Sequence, residues 1–226
     1  MKKLLLIVAS TLLITANAFA GSYGIGVAGH IASVSADGTE TTPSDTGTEN
    51  SVQSATAGND VIFGSIFAEY SFGDSENFTF GIDYVPGTAD VNRKTLSRTD
   101  ARSDSNDNNN QAGKRTANAE LSDHITYYAE YGGMNSLYGK LGFAQVDVKT
   151  KETNAAAGTV GSYPDKTLDA WTYGLGYKGE MGTNGYFKIE GYYTDYDSFN
   201  ATSTTSNTVA ADLDVVGAAL RLGYKF

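Results

Sequence analysis

The chain of 226 residues contains no cysteine, only three prolines and a single tryptophan. The absence of cysteine excludes disulfide bonds, thiolate chemistry and zinc sites built on cysteine. Basic side chains are also scarce, 16 against 26 acidic ones, and the resulting net charge of −10 argues against nucleic acid as a partner. Beyond its first 20 residues the chain has no long uninterrupted apolar run, so it predicts no membrane-spanning helix.

The N-terminus has the features of an export signal. Two lysines precede an apolar run over residues 4–15, and a small-x-small pattern ends at Ala20. The alternative is a membrane anchor, but the run is shorter than the roughly 20 apolar residues that a spanning helix needs. We therefore expect residues 1–20 to be a cleaved signal peptide. Loss of the two lysines takes the net charge of the mature chain, 21–226, from −10 to −12.

The mature chain consists of short segments in which apolar and polar residues alternate. In the last segment, 212–226, every second residue from Val216 to Phe226 is apolar, and small or charged residues lie between them. Seven earlier segments show the same period of two, at 22–34, 61–72, 78–91, 123–132, 136–149, 168–181 and 185–198. The alternation slips at residues 145–148, which predicts a β-bulge there.

The connections between these segments alternate between long and short. Long polar stretches follow the first, third, fifth and seventh segments, and tight turns follow the others. This rhythm predicts an all-β fold, an eight-stranded antiparallel up-and-down transmembrane β-barrel with its long loops outside the cell. The alternative is a soluble lipocalin-like barrel with an apolar interior. It is disfavoured because the bulky apolar face, which includes Trp171, would not fit inside eight strands.

Charged residues share the face opposite the apolar one and are predicted to line the lumen. They are Glu69, Asp83, Glu130, Glu190, Lys140, Lys178, Lys188 and Arg221. Because strand n faces strand n+4 in such a barrel, the predicted pairs are Glu69 with Lys178, Asp83 with Lys188 and Glu130 with Arg221. Isolated charges in a narrow lumen are costly, so we predict an ionic network across the lumen that plugs the barrel. The alternative is that these charges contact trapped water.

The sequence contains no complete catalytic or metal-binding motif. His30 on the inner face and His124 near a loop match no catalytic signature, and no Ser/His/Asp set has a defensible spacing. The Asp/Asn run at 104–110 offers oxygens for Ca²⁺ but lacks the glycine and closing Glu of an EF-hand loop, and its composition favours disorder. We expect no enzymatic activity, no metal site and no cofactor.

The ending Gly-Tyr-Lys-Phe resembles the C-terminal signature of bacterial outer-membrane β-barrels, in which residues such as Tyr224 and Phe226 are read by the barrel assembly machinery. With the export signal, strand count and loop rhythm, the whole chain resembles the small eight-stranded family typified by the opacity-like proteins and the membrane domain of outer membrane protein A. The resemblance implies an outer-membrane location, periplasmic mature termini, contact with lipid and lipopolysaccharide, and a salt-bridged lumen.

Two functions are consistent with this family. The first is an envelope structural or adhesin-like surface protein that acts through four long loops, on which the sequence names no ligand. The alternative is a small porin-like channel for ions or small polar solutes, with the charged lumen as its path.

Overall fold

The computed structural model describes residues 21–42, 51–90, 96–100, 113–154, 163–204 and 206–226. The expected signal peptide, 1–20, and the Asp/Asn run, 104–110, lie outside these residues. The described residues form strands β1 (Gly21–Thr42), β2 (Ser51–Phe72), β3 (Phe78–Asp90), β4 (Leu96–Asp100), β5 (Gly113–Tyr131), β6 (Ser136–Asn154), β7 (Lys166–Met181), β8 (Gly185–Tyr196), β9 (Phe199–Thr202) and β10 (Thr208–Lys225). No helix in these ranges is long and apolar enough to cross a membrane.

Eight of the strands form a closed antiparallel ring. Their order is β1-β2-β3-β5-β6-β7-β8-β10, and β10 pairs back onto β1. The closing ladder runs from Gly24 opposite Lys225 to Thr41 opposite Thr208. The short strands extend this wall, because β4 pairs with β5 beyond the end of β3 and β9 pairs with the outer part of β10. The up-and-down barrel predicted from the alternation is confirmed.

The tight turns lie at the same end of the barrel as the start of β1 and the end of β10. They comprise residues 73–77, 132–135 and 182–184. At this end the amide of Phe226 donates to the carbonyl of Tyr23 at 3.0 Å. Gly182 takes φ +71° in its turn, a conformation that glycine adopts without strain. We call this the periplasmic end and the opposite end, from which the long connections leave, the extracellular end, after the orientation that the sequence predicts.

The outer wall carries a band of exposed apolar side chains. It includes Ile25, Val27, Ile31, Ile62, Ile66, Leu137, Leu141, Trp171, Tyr173, Leu175, Ile189, Val216, Leu220 and Leu222. Towards the periplasmic end the band becomes aromatic, with ring centroids of Phe72 and Phe78 at 5.6 Å and those of Phe78 and Tyr131 at 5.0 Å. A continuous exposed apolar surface flanked by aromatic rings is typical of a wall that faces lipid.

Several strands are longer than the sequence predicts. β1 ends at Thr42 rather than at residue 34, β2 begins at Ser51 rather than at 61, and β5 begins at Gly113 rather than at 123. The predicted bounds were wrong because the apolar alternation stops where the wall leaves the lipid. The backbone ladder continues there with polar residues such as Asp37 and Thr39 on the outside.

The interior has two zones of opposite character. The periplasmic half contains the buried charges described below. The extracellular half contains an apolar cluster formed by Ala32, Val34, Ala144, Val146, Val148, Leu168, Ala170, Tyr196, Phe199, Ala201, Leu213 and Val215. Above the lipid-facing band, therefore, the inner face is apolar and the outer face is polar, opposite to the face assignment that the sequence predicts for the membrane-spanning segments.

The change of the inner face from polar to apolar explains why the sequence wrongly predicts a β-bulge in β6. β6 keeps its parity, because Ala144, Val146 and Val148 are all buried on the inside. The predicted bulge at 145–148 is wrong, since the change from a polar to an apolar interior imitates a slip in alternation. The register shift lies on the neighbouring strand β5, between Ser122 and Ile125.

A polar clasp joins the last strand to the first tight turn. Glu76 in that turn accepts hydrogen bonds from Ser22 Oγ at 2.6 Å and from Lys225 Nζ at 2.9 Å. Partial burial acts to raise the pKa of Glu76, but the bonds from Ser22 and Lys225 outweigh it, so the pKa lies below its ordinary value. The clasp is therefore formed by the ionised carboxylate.

We expect the clasp to make a small contribution to the free energy of unfolding that is lost in acid. A carboxylate with a lowered folded-state pKa stabilises the fold above its unfolded pKa of about 4.3, and this contribution is lost as the pH falls through the folded value. Because the pair is partly exposed, we expect Glu76→Gln to cost less than about 1 kcal/mol at pH 7. The difference from wild type should be smaller at pH 3 than at pH 7. Urea unfolding at both pH values measures this, with Asp74→Asn in the same turn as control; an equal difference at both pH values would contradict it.

Candidate functional site

All eight charged residues predicted to face the lumen are buried in the periplasmic half. Their exposed fractions run from 0% for Lys188 to 7% for Lys140. Four are acids and four are bases, so the set has no net formal charge. Such a set is stable in a narrow interior only when its members contact each other or other polar groups.

Lys188 forms the first part of the network. Its Nζ lies 2.6 Å from Oε2 of Glu69 and 2.6 Å from Oε2 of Glu130. The hydroxyl of Tyr128 donates to the same oxygen of Glu69 at 2.9 Å. One cation thus joins β8 to β2 and β5, each three places away around the ring, through short charge-assisted hydrogen bonds.

Arg221 and Glu190 form the second part. Arg221 Nη1 lies 2.7 Å from Asp83 Oδ2, and its Nη2 lies 3.1 Å from Glu190 Oε1. Glu190 Oε1 also accepts from Lys140 Nζ at 2.8 Å, and its Oε2 accepts from the Tyr138 hydroxyl at 2.8 Å. The planar guanidinium therefore connects carboxylates on two different strands.

Lys178 is the exception in the set. Within the described residues it forms no ion pair, and its Nζ lies 3.4 Å from Thr79 Oγ1. The same ammonium lies 5.8 Å from the centroid of the Tyr186 ring, within range of a cation–π contact. Lys178 is thus held by a hydroxyl and an aromatic face.

The three predicted partnerships are not the ion pairs that form. Glu69 and Glu130 meet Lys188, and Asp83 meets Arg221. The prediction assumed that residues equally far from the turns lie at equal height on opposite strands. Tilt and stagger remove that equivalence, because the ladder followed from Glu69 across β3, β5 and β6 reaches Thr172 on β7 and not Lys178.

Two tyrosines that were not among the predicted lumen residues also belong to the network. Tyr128 packs over Gly81, its ladder partner on β3, and Tyr138 packs over Gly176, its partner on β7. A Cβ at Gly176 would lie 2.6 Å from the Tyr138 ring. The signal that identifies them is an inward tyrosine opposite an inward glycine, a pattern that lets a large ring fill the lumen.

The two C-terminal aromatic residues and the two histidines named in the sequence analysis lie outside the charge network. Tyr224 and Phe226 are exposed on the outer wall with ring centroids 6.4 Å apart, and their reading by the assembly machinery stays a prediction. His30 is buried in the lumen with Nε2 3.0 Å from Ser65 Oγ. The His124 ring lies 6.3 Å from that of Tyr196 in the extracellular half.

The geometry fills the lumen with paired charges. Cations and carboxylates from six of the eight ring strands meet in one layer, and the rings of Phe67, Tyr128 and Tyr186 lie within cation–π range of them. Separating these groups to admit a solute would leave buried charges without partners. The arrangement is suited to closing the barrel and to holding its strands together.

No protein family matches the chain, and no curated protein matches its sequence. Among solved structures, the outer membrane protein OprG from Pseudomonas aeruginosa is 17% identical, with a TM-score of 0.46 over 92% of this chain and 97% of that one. Ail, the attachment invasion locus protein of Yersinia pestis solved with the heparin analogue sucrose octasulfate, is 15% identical, with a TM-score of 0.37 over 91% and 97%. The outer membrane protease OmpT from Escherichia coli is 10% identical, with a TM-score of 0.46 over 91% and 97%. The present chain itself forms a closed, eight-stranded, antiparallel up-and-down β-barrel.

Proposed function

We propose that this protein is a non-enzymatic outer-membrane barrel with a closed lumen, and that it acts as an envelope structural or adhesin-like protein through its four extracellular connections. The observation that supports a closed lumen best is the bridge from Lys188 to Glu69 and Glu130 at 2.6 Å. A solute in the periplasmic half would have to break these buried contacts, which is costly.

The surface role is supported by the composition of the connections. The sequences at 43–50 and 197–207 contain acids and no Lys or Arg. A partner that they recognise is therefore a neutral sugar or a cationic surface, since like charges repel an anionic one. In this proposal the outer wall contacts lipid and lipopolysaccharide, and the barrel assembly machinery reads Tyr224 and Phe226.

The absence of catalysis is part of the proposal. Ser65 Oγ lies 3.0 Å from His30 Nε2, but His30 Nδ1 has no hydrogen-bond partner in the part of the chain that the structure describes. A nucleophilic serine requires a base that a third group orients. A lipid A acyl chain removed or transferred in cells that express the protein, detected by mass spectrometry, would contradict this part.

Planar-bilayer conductance separates the closed barrel from a small channel for ions or polar solutes. We expect the refolded mature protein to give no steady openings, because the buried ion pairs fill the lumen. Glu130→Gln and Arg221→Gln disturb the network, and Lys225→Gln at the periplasmic rim is the matched control. Steady wild-type openings whose size or ion selectivity changes in either lumen variant, and not in the control, would establish the channel.

A further inference from the structure

A cavity of about 160 Å³ lies in the lumen directly above the charge network. Its walls include Val34, Phe63, Leu121, Val146, Tyr196 and Val215, and Arg221 and Glu190 form part of its floor. An engineered apolar cavity of about 150 Å³ stays dry and binds benzene. The volume and the walls therefore suit one molecule the size of an aromatic ring.

Three polar atoms on this wall have open hydrogen-bonding capacity. His30 Nδ1, Ser122 Oγ and the Tyr192 hydroxyl are buried and have no hydrogen-bond partner within the described ranges. His30 and Ser122 are themselves more than nine-tenths buried. Because a buried polar atom without a partner costs about 1–3 kcal/mol, a ligand with one hydroxyl group gains by satisfying it.

The orientation of His30 is fixed by its surroundings. Its Nε2 is engaged with Ser65 Oγ at 3.0 Å, and its ring stacks on Phe63 with centroids 4.6 Å apart and planes 7° apart. The Tyr192 ring lies at 76° to the imidazole, with centroids 5.7 Å apart. Packing against Phe63 and Tyr192 therefore holds the imidazole, and with it the open Nδ1, in place.

Beside the cavity the described parts of β2 and β3 are not paired, and we call this gap in the ladder the slot; Val61, Phe63, Val85 and Pro86 on its two sides line the cavity. The ladder between β2 and β3 ends at Ile66 opposite Tyr84, and within the described residues β2 continues paired with β1 alone. Beyond that point β3 shifts register between Val85 and Thr88, at Pro86 and Gly87. Pro86 has no amide hydrogen to extend a ladder. Val61 and Phe63, on the β2 side of the slot, are only partly buried although they face inward.

We propose that this cavity binds a small neutral molecule with one aromatic ring and one hydroxyl group, which enters through the slot between β2 and β3. The walls supply apolar contact, and the open atoms of His30, Ser122 and Tyr192 bind the hydroxyl group. Neutral ligands are favoured because the floor is an internally balanced set of charges.

Methyl-detected NMR of the refolded protein in lipid nanodiscs tests the site, with phenol and toluene as probes. Phenol should shift the methyl signals of the inward residues Val34, Val146 and Val215 with saturable dependence on concentration. The outward residues Ile31, Val216 and Leu220 report simple partitioning into lipid. Equal shifts on both faces, or no inward shift up to the solubility limit of phenol, would overturn the proposal.

Two substitutions sharpen the test. Val215→Phe fills the cavity and should weaken phenol binding at least about tenfold, whereas Val216→Phe on the lipid-facing side should leave it unchanged. Tyr192→Phe removes one hydroxyl and should weaken phenol about fivefold to tenfold without affecting toluene. The second variant keeps the ring, so it decides the question even where Val215→Phe does not fold. Equal loss of both probes in Tyr192→Phe would contradict recognition of the hydroxyl group.

Discussion

Lys188→Met should lower the free energy of unfolding by about 3–5 kcal/mol, because it leaves Glu69 and Glu130 buried without their shared cation. Because Lys188 is fully buried, water does not reach the two carboxylates to replace the contacts that they lose. Guanidinium unfolding in lipid vesicles, followed by the fluorescence of the single tryptophan, Trp171, measures the change.

Two further variants separate charge from packing. Lys225→Met breaks a partly exposed pair with Glu76 and should cost less than about 1 kcal/mol. The triple variant Glu69→Gln, Glu130→Gln and Lys188→Met removes the charges together and should recover most of the loss. If the triple variant is as unstable as Lys188→Met alone, the contribution of Lys188 comes from its volume and not from its charge.

Gly81→Ala should destabilise the barrel by roughly 2–4 kcal/mol, through overpacking and the loss of a hydrogen bond to a charged group. The added Cβ would clash with the ring and hydroxyl of Tyr128. Tyr128 would have to move, and its hydroxyl would lose the 2.9 Å bond to Glu69. Unfolding monitored as for Lys188→Met gives the magnitude.

The control for this substitution is Gly29→Ala on the outward face of β1. A Cβ there meets no atom within 4 Å, so the stability should stay within about 0.5 kcal/mol of wild type. In a background of Tyr128→Leu, where the large ring is absent, Gly81→Ala should cost little more. A full additive loss in that double variant would show that Gly81 acts independently of Tyr128.

The fold was predictable because the lipid and the lumen impose opposite chemistry on alternate residues. Tyr173, Leu175 and Tyr177 against Gly174 and Gly176 give the face assignment of β7 directly. The rule fails where the strands leave the lipid, since Asp37 and Thr39 no longer differ from a loop in composition although they remain in the ladder. Strand ends at the extracellular side are therefore determined by backbone pairing that no local pattern reveals.

The sequence predicts which charged residues face the lumen, but it does not predict which of them form ion pairs with each other. Parity alone places Glu69, Asp83 and Lys188 on the inner face, but which side chains meet depends on tilt and on the reach of long side chains. The apolar zone above was missed for a related reason. Val146 and Val148 look like a slip of register when the whole interior is assumed to be polar, and they are in fact inward residues in a region where the polarity is reversed.

The strands β1 and β2 extend well beyond the lipid-facing band, and this extension limits the access of large particles to the wall below it. From Ile31, at the upper edge of the lipid-facing band, β1 continues for 11 residues to Thr42, a rise of about 25 Å along a tilted strand. The ends of β1 and β2, at Thr42 and Ser51, therefore lie about as far beyond the lipid-facing band as the band is tall. In the orientation proposed above, this extension keeps a large particle outside the cell away from the slot beside Phe63, which lies at the base of the extension.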